Sequence, residues 1–186
     1  MKRQSTTAST FVEEQDNPLL EIFKHRHDYI YANHPRPGEK PLWFTEDRHP
    51  LSDRLIKQGS YLYGVRFGPT TNYALIDIDT GSAYHPKRDP LALNRIQSTL
   101  EKTMGIVTSV TCQSSYSQGL HLYLPLDQEF TSWELGIALT SVLENAGFSV
   151  SAGQLEVFPN ARHFGSDGQL NLFNGHRLPC FKHGFC

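Results

Sequence analysis

Residues 73–82 read YALIDIDTGS. Ala74, Leu75, Ile76 and Ile78 make a near-continuous apolar run, and Asp77 and Asp79 interrupt it. Aspartate is depleted in strands and costly to bury without a partner. The run reads as a buried strand, so the two acids need a reason to be there. Side chains alternate across a strand, and residues two apart share a face. Asp77 and Asp79 therefore point the same way, while Ile76 and Ile78 point into the core.

Working outward, residues 61–67 (YLYGVRF) read as a strand that ends at the turn formers Gly68 and Pro69. Beyond the aspartates, residues 90–104 carry Leu91, Leu93, Ile96, Leu100 and Met104 on one broad stripe, which predicts a helix. Residues 106–112 (IVTSVTC) and 120–126 (LHLYLPL) read as strands. Residues 132–147 (SWELGIALTSVLENAG) read as a helix closed by Gly147, and residues 154–159 (QLEVFP) as the last strand. The order from residue 73 is β-α-β-β-α-β, the split βαβ pattern of ferredoxin-like and RNA-recognition-motif-like sheets. The predicted fold class is therefore α+β. In such a sheet the first strand lies centrally, between the third and the fourth. Right-handed crossovers place both helices on one face and leave the other for a ligand or a further layer.

Upstream, PLLEIFKHRHDYIYANH from Pro18 has Leu20, Phe23, His27 and Ile30 at helical spacing, so a helix is expected there. The prolines of HPRPGEKP enforce a loop near 35–41, and a short helix is expected over 51–58 with Ser52 as its cap. The expected organisation is a mobile polar tail over 1–17, an N-terminal helical and strand extension over 18–68, a catalytic core over 69–179 and a short tail over 180–186.

The 186 residues are 38% hydrophobic and 19% charged, with a net charge of −2. That balance suits a globular domain and does not announce a nucleic-acid binder, so any basic surface must be local. No apolar run approaches the ~18 residues of a membrane span, and the N-terminus lacks the apolar stretch of a secretory signal. Three scattered cysteines (Cys112, Cys180 and Cys186) without CxxC pairing argue against a disulfide framework and a zinc site. A cytoplasmic location, with no membrane partner, is the expectation.

The same alternation places Leu120, Leu122 and Leu124 in the core, with His121 and Tyr123 on the opposite face. Leu155 and Val157 likewise go in, and Glu156 comes out. With strands ~4.8 Å apart, Asp77, Asp79, His121 and Glu156 converge on one patch. Three carboxylates that close repel one another, and a divalent cation relieves the repulsion. Mg²⁺ or Mn²⁺ suits such oxygen donors and completes its shell with substrate phosphates. Two such ions ~3.5–4 Å apart serve nucleotidyl transfer. His121, with the Ser/Gly turn SYSQGL over 115–120, is placed to hold a triphosphate.

LIDID (75–79), SQGLH (117–121) and LEVFP (155–159), in this order, resemble the three motifs of the archaeo-eukaryotic primase superfamily. The wording GVRFG, YALIDID, SSYSQGLHLYLP, LEVFPN and FNGHRLP is most similar to bacterial primase-polymerases, including those of plasmids and mobile elements. The resemblance spans roughly residues 60–179. It implies that Asp77, Asp79 and Glu156 are catalytic and bind the metals, and that Ser117 and His121 contact the nucleotide. It also implies Arg177 as a phosphate or template contact, with Arg162 and Arg66 as further candidates. The implied activity is template-dependent joining of nucleoside triphosphates on a DNA template or primer, in replication or repair, with a replicative helicase as a conceivable partner. Two other readings stay open. A metal-dependent phosphodiesterase or replication-initiator nuclease uses a related sheet, but with two histidines around one hydrophobic residue, whereas residues 121–123 (HLY) hold one. A non-catalytic RNA-recognition-like binding module would present aromatics for base stacking where this sheet presents acids.

Overall fold

A computed structural model describes residues 18–36, 38–114, 118–160 and 173–179. The chain opens with a 3₁₀ turn (Pro18–Ile22), β1 (Tyr29–Ala32), β2 (Phe44–Glu46), α1 (Asp53–Gln58) and β3 (Leu62–Val65). There follow β4 (Thr70–Ile78), α2 (Ala92–Met104), β5 (Val110–Gln113), β6 (Leu120–Thr131), α3 (Ser132–Asn145), β7 (Leu155–Phe158) and β8 (His176–Arg177). Two four-stranded sheets result, ordered β2-β1-β3-β8 and β5-β6-β4-β7, and every pairing is antiparallel.

The second sheet has the expected order, with β4 between β6 and β7. Its helix-covered face buries Ala74, Ile76 and Ile78 of β4, Leu122 and Leu124 of β6, and Leu155 and Val157 of β7 against Ile96 and Leu100 of α2 and Leu139 and Leu143 of α3. These are the apolar sets that alternation assigned inward. On the opposite face, Tyr73, Leu75, Tyr123 and Phe158 pack against Phe23, Tyr63, Val65, Phe67 and Leu178. The face left open by the βαββαβ pattern is thus covered by the first sheet over its apolar part. Because β8 pairs with β3, residues 176–177 complete a sheet begun by residues 29–65.

The helix expected from Pro18 is corrected. It is one 3₁₀ turn, followed by β1. Asp28 takes a left-handed conformation (φ 52°), which a helix cannot propagate through. Tyr29, Ile30 and Tyr31 are then strand formers paired with β2, and Ile30 and Tyr31 pair with β3 as well. The helix over 51–58 forms as expected, its first turn capped by Ser52, whose hydroxyl accepts from the Leu55 amide. Cys112 is also corrected: almost wholly buried on β5, it is disulfide-bonded, its other half outside the described residues. An odd cysteine count forbids only complete pairing, so it gives no ground for a reducing compartment. The expected tail over 1–17 lies outside the described residues. No described helix is long and apolar enough to cross a membrane.

Candidate functional site

The second sheet sets its polar residues in a line. Asp77 on β4 stands directly opposite His121 on β6 and Glu156 on β7, and His121 stands opposite Cys112 on β5. Directly opposed residues share a face and lie about 5 Å apart. Asp79 follows on the same face just past the end of β4, where its amide donates to the Gln154 carbonyl at 3.4 Å. The structure therefore brings Asp77, Asp79, His121 and Glu156 together, as the alternation rule requires.

The electrostatics carry the mark of crowded acids. Burial, and then the negative charge of Asp77, pushes the Asp79 carboxyl above its usual range. Burial also raises Glu156, followed by the charges of Asp77 and Asp79. The backbone N–H of Gly153 hydrogen-bonds both carboxylates and partly offsets these rises. Gly153 sits at φ 79°, a conformation that glycine reaches without strain.

His121 is 4% exposed. Its Nε2 lies 3.7 Å from Asp77 Oδ2, and its Nδ1 lies 3.3 Å from the Tyr123 hydroxyl. That hydroxyl donates its one hydrogen to the Arg177 carbonyl at 3.2 Å, so its oxygen accepts from His121. The tautomer assigned by this network puts a hydrogen on Nδ1 and turns Nε2 toward the acids. Arg177 also borders the site. Its Nη1 donates to the Ser114 carbonyl at 3.2 Å, and its guanidinium lies 5.7 Å from the centre of a Trp43 ring.

The remaining candidates divide. Ser117 and Arg162 lie outside the described residues. Arg66 is a staple between segments, donating to the Asp28 carbonyl at 3.0 Å, the Phe173 carbonyl at 2.9 Å and the Thr45 hydroxyl at 3.2 Å. Three residues at the site went unnoticed in the sequence. The turn glycine Gly153 had a usable signal, the small-residue run before β7. His85 and Lys87, which hold Gln118 beside the site, had none.

Among the described residues, no three His, Cys, Asp or Glu side chains are gathered closely enough to hold a metal ion as they stand. The donor chemistry nevertheless fits a hard divalent cation: three carboxylates on one face, two of them held above their usual pKa range partly by mutual repulsion.

The fold is mixed α+β, with two antiparallel four-stranded sheets and three α-helices among the described residues, and it is compatible with that of a known polymerase domain. That solved structure is the polymerase domain from Mycobacterium tuberculosis Ligase D in complex with DNA. The similarity has a TM-score of 0.52 at 15% sequence identity, and it covers 75% of this chain and 67% of that one. This is a distant likeness of fold. No family model and no curated protein matches the sequence.

Proposed function

We propose that this chain is a template-dependent nucleotidyltransferase of the primase-polymerase kind, joining nucleoside triphosphates on a DNA template or primer. The observation that carries the reading is the cross-strand line His121–Asp77–Glu156, with Asp79 one pleat further on. The distant fold likeness to a polymerase domain in complex with DNA supports it.

In this reading Asp77, Asp79 and Glu156 would hold two Mg²⁺ or Mn²⁺ ions, which would supply charge neutralisation for nucleotidyl transfer. The ladder fixes the backbones of Asp77 and Glu156 directly opposite each other, so side-chain rotation alone would bring their carboxylates onto a shared ion. His121 would donate from Nε2 to a triphosphate oxygen as an imidazolium, with a hydrogen on each ring nitrogen and the Nδ1 edge held by Tyr123. Arg177, which donates to the Ser114 carbonyl, adds a planar cation suited to a phosphate oxygen. Ser117 completes the nucleotide contacts.

Primer extension with Mn²⁺ tests this directly. The wild-type chain should extend a templated primer, and Asp77→Ala/Asp79→Ala should lose at least about a thousandfold in rate. Extension that survives the double substitution would end the reading. Degradation of the primer without extension would point to the nuclease instead.

A further inference from the structure

We propose that His85, which no part of the nucleotidyltransferase reading uses, is a positioning residue that locks the turn delivering His121 to its place opposite Asp77. The inference rests on that reading for its functional meaning, and on geometry alone for its structural content.

His85 is 4% exposed, and both of its ring nitrogens are engaged. The Lys87 backbone N–H donates to Nδ1 at 3.2 Å, so Nδ1 carries no hydrogen. Nε2 must carry it, and it donates to the Gln118 carbonyl at 2.8 Å. The Lys87 ammonium donates to the side-chain carbonyl of the same glutamine. Gln118 needs such restraint, because it sits at φ 67°, a left-handed conformation that non-glycine residues seldom adopt. Such strain persists where the surroundings over-determine it.

There is no slack behind Gly119. A Cβ added at Gly119 would lie 2.8 Å from the Ser114 hydroxyl and 3.3 Å from the Ile78 carbonyl. The Gly119 carbonyl accepts from the Ser114 amide at 2.7 Å. The loop bearing His85 is itself anchored to the acid strand: the Ser82 amide donates to the Asp79 carbonyl at 2.9 Å, and the His85 amide to the Ser82 carbonyl at 3.2 Å. A continuous path of hydrogen bonds thus runs from Asp79 through Ser82 and His85 to Gln118, three residues before the imidazole of His121. The clamp sets the acids and the histidine relative to each other at the end of the sheet where the ladder stops.

His85→Phe keeps the bulk and removes both hydrogen bonds, whereas His85→Gln retains an N–H donor for the Gln118 carbonyl. In His85→Phe, amide hydrogen exchange at residues 118–121 should quicken about tenfold while the far-UV spectrum is kept, and His85→Gln should restore most of the protection. Titration with Mn²⁺ and dATP should show the Kd raised about tenfold by Phe and much less by Gln. Unchanged exchange at 118–121 in His85→Phe overturns the inference. If that variant does not fold, the wild type decides: nitrogen NMR should find neutral His85 with its hydrogen on Nε2, and a hydrogen on Nδ1 overturns the proposal. Absence of dATP binding by the wild type would count against the nucleotidyltransferase reading, and the exchange and tautomer results would still decide the clamp.

Discussion

Asp79 and Glu156 carry charge where their surroundings disfavour it, by burial first and by neighbouring acids second. A carboxyl raised above its usual pKa on folding binds its proton more tightly in the native state. Stability is therefore lost as pH rises from about 4 through the raised values, and the loss persists at neutral pH. Asp79→Asn or Glu156→Gln should accordingly raise the melting temperature of the metal-free protein at neutral pH by roughly 2–4 °C, allowing for solvent screening of these part-exposed groups. Mn²⁺ should then raise the melting temperature of the wild type and leave that of Asp77→Ala/Asp79→Ala nearly unmoved. Calorimetry with and without the ion reads both effects, and a lower melting temperature in the metal-free variants would contradict them. At this scale much of the site was legible. A period of two fixes which side chains share a face, and that alone put Asp77, His121 and Glu156 on one face, where the ladder has them. His85 and Lys87 were not legible, because their roles depend on a loop meeting a turn about thirty residues away.

Among the elements, β8 shows how little chain can matter. Two residues suffice to pair with β3, and the Leu178 amide adds a bond to the Tyr63 carbonyl at 2.9 Å. A strand this short has no periodicity to read, which is why the sequence offered Arg177 only through a motif. β1 was hidden for another reason, since its Ile30 also continues the helical spacing of Leu20, Phe23 and His27, which Asp28 breaks. His176 on β8 lies among Phe23, Phe67, Tyr73, Tyr123 and Phe158, with ring centres between 5.1 and 6.2 Å away. Burial, and then the nearby His121, holds its pKa well below the usual value. A histidine depressed on folding contributes stability that is present above about pH 6.5 and is lost as pH falls below it. The melting temperature should therefore drop between about pH 7 and pH 5, and drop less in His176→Phe. Parallel curves for the two proteins would show that His176 does not titrate against folding.

For the whole molecule, the decisive contact is between layers. Phe23, 1% exposed, sets its edge against Tyr73 at 5.3 Å and Tyr123 at 5.6 Å between ring centres. It joins the N-terminal segment to the strand that carries His121. Phe23→Ala should cost about 3–5 kcal/mol, measured by urea unfolding, and a cost below about 1 kcal/mol would mean that the layers do not depend on it. The second sheet itself was legible because its helices and strands alternate with clear periods. The first sheet was not, since it is assembled from short strands far apart in the chain.

The straight file of polar groups across β6, β4 and β7 has a consequence for how such a chain can change over generations. Gaining or losing one residue inside any of these strands would swap its two sides, driving an acid or imidazole into the oily layer beneath the helices and lifting a leucine out. Variation in length should therefore be confined to the connections, while the strands accept only exchanges of like for like.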